Sequence, residues 1–137
     1  MKRNLEKYER FYTATLVISL FLSILWVHFV KTVPFSDFEY YNNLAKEIAQ
    51  GKQWGDTYTS VGYPIILGLI YKIFGAKIEI AKLFNILLTF TNNILLLQLI
   101  LKLNISKERR RLIFLVFAVF PSTIFYNSIL ATEILFT

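Results

Sequence analysis

The chain has 137 residues, 55% of them hydrophobic, with a mean hydropathy of +0.51 and a net charge of +6. The absence of cysteine excludes disulfides and Cys-based metal centres, and a single histidine, His28, excludes a His-cluster site. The basic residues flank apolar blocks, as topology determinants do, so the positive charge does not point to nucleic acid.

Residues 11–30 form an apolar block without a formal charge, the length a transmembrane helix needs. It follows MKRNLEKYER, which carries Lys2, Arg3, Lys7 and Arg10. The block is too long for the core of a signal peptide, and FVKTVPFS offers no small-x-small cleavage site. It is therefore read as an uncleaved anchor with residues 1–10 on the cytoplasmic side.

The next stretch, PFSDFEYYNNLAKEIAQGKQW, is acidic and aromatic. SDFE has a capping-box pattern, with Ser36 as N-cap and Glu39 three residues later. Phe38, Tyr41, Leu44, Ala45, Ile48 and Ala49 fall on one face of a helix, and Gly51 stops it. The pattern predicts an amphipathic helix over 37–50 at the membrane surface. Asp37 lies in its first turn, where the helix dipole favours a carboxylate. Trp54 and Tyr58 fit an interfacial aromatic belt.

VGYPIILGLIYKIF has too few apolar residues before Lys72 to cross a bilayer. It reads as a short interfacial helix over 64–74, with Pro64 in its first turn and Gly75 at its end. Residues 78–103 form a second long block, with Glu79 and Lys82 at its entrance and Lys102 at its exit. Asn85, Asn92, Asn93 and Gln98 within it call for neighbouring helices, since lipid cannot satisfy them. Residues 104–111 hold Lys107, Arg109, Arg110 and Arg111, a second positive-inside signal. With two spans between the two basic segments, 31–77 becomes one external loop. Its stretch 32–60 carries Asp37, Glu39, Glu47 and Asp56 against Lys46 and Lys52, net negative as that side requires. Residues 112–137 read as a further span, interrupted by Pro121, and the start of another element.

The fold class is thus an all-α, polytopic membrane protein with its N-terminus in the cytoplasm. The order of P-x-S-D-x-x-Y-Y, T-S-V-G-Y-P-I-I-L-G, A-K-L-F-N-I-L-L and A-T-E-I-L-F-T resembles the membrane glycosyltransferases of fold C, the protein mannosyltransferase and aminoarabinose transferase group. That resemblance runs from about Tyr12 to Thr137. It implies a helical bundle, a polyprenyl-phosphate sugar as donor, and transfer to an acceptor glycan, lipid or protein on the external face. It implies catalytic roles for Asp37 and Glu133, and it admits a divalent cation.

A carboxylate in reach of an acceptor hydroxyl can act as general base, and a second can hold sugar hydroxyls or a cation. Glu133 is the sole formal charge in 112–137, and an acid in such surroundings is a functional hypothesis by default. Tyr40 and Tyr63 are candidates for stacking on the sugar, and Lys72 for the donor phosphate. Enzymes of the group are several times longer, so the expectation is that this chain is the N-terminal portion of one, inactive alone. The alternative is a non-catalytic subunit or scaffold of an envelope-assembly or transport complex.

Overall fold

The computed structural model describes residues 2–52, 60–130 and 132–135, the side chains of 2–9 excepted. Trp54, Asp56 and Tyr58 lie outside the described residues. Among those described, the chain is all-helical. Its elements are α1 (Lys2–Phe29), α2 (Ser36–Ala49), α3 (Gly62–Phe74), α4 (Ile78–Lys102), α5 (Lys107–Ala118), α6 (Pro121–Tyr126) and a 3₁₀ turn at Thr132–Ile134.

Two helical stretches, Arg10–Phe29 and Ile78–Lys102, are long and apolar enough to cross a membrane. Their surfaces are inverted relative to a water-soluble core helix. Val17, Ile18, Phe21 and Ile24 of α1 face outward, as do Leu83, Leu87, Leu95 and Leu99 of α4. The buried side carries Thr15, Ser19 and Ser23 on α1, and Asn85, Thr89 and Asn93 on α4. Both buried sets repeat every four residues, so each makes a polar stripe along one helix face.

The stripes are joined by hydrogen bonds, many of them through the chain beyond α5. Ser19 donates to the Ala118 carbonyl at 2.6 Å, and Asn93 Nδ2 donates to Ser19 Oγ at 3.0 Å. Asn127 stands between the helices. It accepts from Thr89 at 2.7 Å and donates to Ser23 at 3.0 Å. Asn85 donates to the Ile129 carbonyl, and Asn92 to the Ile134 carbonyl, both at 2.8 Å. Three of the four amides expected to seek neighbours do so, whereas Gln98 is exposed.

Those bonds trace a reversal. Asn127 lies opposite Thr89, Ile129 opposite Asn85, and Ile134 opposite Asn92. The chain climbs towards the start of α4 and then turns back. Residues 112–137 are therefore not one kinked span. The helix breaks before Pro121, whose ring suits the start of α6, and again after Tyr126. The basic segment 104–111 is likewise not all loop, since α5 starts at Lys107 with Ser106 capping the Arg109 amide.

α2 and α3 form a hairpin. α2 closes as foreseen, in a Schellman motif: Lys52 N donates to Glu47 O, Gly51 N donates to Ile48 O, and Gly51 takes a φ of 71°. Its start differs from the capping-box expectation. Ser36 itself adopts a left-handed φ of 48°, so its hydroxyl turns to the Asp37 carboxylate and makes no cap bond. The apolar face of α2 is covered by α3 rather than by lipid: Phe38, Ala45, Tyr63, Leu67 and Tyr71 share one buried cluster, with Ala81 of α4 and Leu130. The apolar surface left open on the hairpin belongs to α3, at Ile66, Leu69, Ile73 and Phe74.

Two tyrosines pin the hairpin. Tyr63 donates to Asn85 Oδ1 and Tyr71 to Asn42 Oδ1, each at 2.8 Å and buried. Burial, with a smaller push from Glu79, raises the Tyr71 hydroxyl to about 12, so it stays a neutral donor at physiological pH. Replacing Tyr63 by Phe leaves the Asn85 carbonyl without that donor. The expected cost is about 1–3 kcal/mol, read as a lower unfolding temperature of the solubilised protein. An unchanged unfolding temperature would show that the Tyr63–Asn85 bond contributes nothing.

Candidate functional site

Asp37 is held in the first turn of α2 and is exposed. It is presented there because the next residue, Phe38, is 2% exposed and anchors the turn in the core. Glu39 shares the turn and the exposure, and Tyr40 stands beside it at the surface, ring to ring with Tyr41 at 5.8 Å. The carboxylate here is open to solvent at the start of a helix.

Glu133 sits on the 3₁₀ turn and lines a cavity of about 230 Å³ with Thr89, Asn92, Ser122, Thr123 and Tyr126. Phe117, Phe120 and Ile134 complete the lining, so the hydroxyls and amides sit in a mostly apolar recess. The turn is fixed by the bond from Asn92 to Ile134 O. Asn92 lies eleven residues beyond Ala81, the α4 residue in the cluster of Phe38. At 1.5 Å per residue that is an offset of about 16 Å along α4. The reversal carries the turn of Glu133 back towards the middle of α4, whereas the hairpin of Asp37 packs near its start.

The remaining sequence candidates separate as well. Tyr63 is 0% exposed, and its hydroxyl is committed to Asn85. A ring so enclosed has no face for a sugar, and its role in this fold is structural. Lys72 is exposed on α3, beside Ile73 and Phe74. Such a lysine, set in an apolar surface, suits a membrane headgroup as well as a donor phosphate.

Among the described residues no three His, Asp or Glu side chains group as metal ligands do.

Sequence reasoning passed over a second set of ionisable groups. His28, Lys31, Glu79 and Lys82 line a groove of about 830 Å³ between the end of α1 and the start of α4. One signal was available: Lys82 lies one turn inside a transmembrane candidate, where a charge is costly. Known protein families, characterised proteins and solved structures give no significant match to this chain.

Proposed function

We propose that the chain is part of an integral-membrane glycosyltransferase that moves a sugar from a polyprenyl-phosphate donor to an acceptor on the external face. The observation that carries this reading is Asp37 on the α2–α3 hairpin. An exposed carboxylate is fixed at a helix start, with the aromatic Tyr40 three residues on, and the helix packed against it, α3, bears the exposed apolar residues Ile66, Leu69, Ile73 and Phe74. That is where a lipid-borne sugar and a water-borne acceptor meet. Asp37 takes the acceptor proton as the hydroxyl attacks the anomeric carbon, and the lipid phosphate departs. Glu133 serves a separate recess and has no part in the proton transfer. The test is transfer of labelled sugar from a polyprenyl-phosphate donor by membranes carrying the protein, with Asp37→Asn as the paired variant. Donor consumption that does not depend on the protein would remove the reading.

The offset between Asp37 and Glu133 favours a second reading, a non-catalytic subunit or scaffold of an envelope complex. Both readings share one topology, with multiple crossings and a cytoplasmic N-terminus, and it is open to a direct test. The chain has no cysteine, so single cysteines report cleanly. Asn43→Cys on α2 and Asn104→Cys between α4 and α5 replace exposed residues. An impermeant thiol reagent added to intact cells is expected to label position 43 and to spare position 104 until the membrane is opened. The reverse pattern would invert the topology and move Asp37 to the cytoplasm.

A further inference from the structure

The groove between α1 and α4 combines three features that no catalytic role explains. The first is Lys82, a residue only 7% exposed that shares the groove with a single acid, Glu79, the charge that acts on it. Its stem is packed away, while its ammonium is not among the enclosed atoms and opens on the groove, where an anion can reach it. The second is the start of α4. Its first intrahelical bonds are donated by Ile80 and Ala81 to the Lys77 carbonyl. The N–H groups of Ile78 and Glu79, both groove residues, are left without an intrahelical acceptor, at the positive end of a 25-residue helix. The third is the wall. Ile24, Val27, Leu83 and Ile86 line the groove. Ile24, Leu83 and Leu87 continue it as outward-facing apolar surface along both helices.

Lys31 and His28 also face the groove, near the end of α1, where cations complement the helix carbonyls without any ligand. They do not account for Lys82, which belongs to the opposite end of a different helix. Glu79 is the one acid of the lining, and it carries the opposite sign to the two lysines. With His28 neutral, Lys31 and Lys82 against Glu79 leave the lining at +1.

We propose that this groove binds the phosphate of a lipid headgroup, with Lys82 and Lys31 as its cationic contacts, the α4 amides behind them and the alkyl chain along α1 and α4. Free phosphate shares the headgroup chemistry but has no use for the apolar walls. The proposal rests on α1 and α4 lying in a membrane and is independent of the transfer reaction.

The test uses the whole chain in dodecyl maltoside micelles, titrated with dodecyl phosphate, dodecanol or inorganic phosphate. Ligand binding is read from the rise in unfolding temperature and from ³¹P line broadening. Dodecyl phosphate is expected to raise the unfolding temperature and dodecanol to leave it unchanged. Lys82→Met weakens dodecyl phosphate at least about tenfold, the loss of one charge-assisted contact. Glu79→Gln tightens it by removing a like charge. Lys31→Ala replaces an exposed residue, so it reports a weakened site even if Lys82→Met fails to fold. Equal responses to dodecanol and dodecyl phosphate, or binding unaffected by both lysine variants, overturn the proposal. Inorganic phosphate binding as tightly as dodecyl phosphate overturns its lipid part. A chain that stays soluble and monomeric without detergent would instead remove the membrane reading beneath it.

Discussion

Replacing Asp37 by Asn is expected to lower sugar transfer by about 10²- to 10⁴-fold, the contribution of a positioned general base. The substitution keeps the size and the polarity but removes the negative charge and with it the ability to accept a proton. Asp37 is exposed and, among the described residues, its carboxylate meets only the Ser36 hydroxyl, at 3.5 Å, so the fold has little to lose. The variant is expected to insert, purify and unfold as the parent does. Glu133→Gln in the same assay separates the two carboxylates: a base acting alone predicts a much smaller loss there. Transfer within about threefold of the parent after Asp37→Asn would take Asp37 out of the reaction, since a general base contributes far more than that. An equal collapse in both variants would mean that the two acids are brought together in the working enzyme.

The second large effect concerns Gly68. A Cβ built there meets Ile48 Cγ2 at 2.7 Å, Ile48 Cβ at 2.8 Å and the Ala45 carbonyl oxygen at 3.0 Å. The backbones of α2 and α3 approach so closely that hydrogen is the only tolerated side chain. Small residues serve helix pairs in membranes in the same way. Gly68→Val is expected to cost about 3 kcal/mol or more, at the upper end of overpacking effects because one clash is with backbone. The consequence reaches function, since lifting α2 from α3 releases the anchor at Phe38 and with it the placement of Asp37. Unfolding temperature and transfer should fall together. In a Gly68→Ala background, Ile48→Ala removes only the Cγ2 contact, so rescue is partial. Full rescue would locate the whole clash in the side chain, and no loss at all in Gly68→Val would show that the hairpin opens freely.

The long elements were legible because their signals are local. Apolar length marks α1 and α4, helical periodicity with Gly51 marks α2, and a short apolar run ending at Gly75 marks α3. The amides of α4 announced a packed face, and Asn85, Asn92 and Asn93 use it. What escaped depends on distant residues. The reversal after Tyr126 is held by bonds to Ser23, Asn85, Thr89 and Asn92, separated by 38 to 104 positions, and no local pattern encodes them. Tyr63 reads as a sugar-stacking aromatic until the fold buries it against Asn85 of α4. Ser36 has the composition of a cap, but its own left-handed backbone turns the hydroxyl away. The groove at Lys82 exists only because α1 ends where α4 begins.

The polar stripes of α1 and α4 also set an order of events during synthesis. Both helices leave the ribosome before Asn127 and Ile129 exist. In a bilayer, the Asn93–Ser19 bond can form between them at once, but Ser23, Thr89 and the amide of Asn85 must wait for the returning strand of chain. Nascent protein arrested before Asn127 thus holds those groups in hydrocarbon without their native partners, at a cost of order 1 kcal/mol each. Asn127 and the Ile129 carbonyl are in this sense the latch that closes the helix pair.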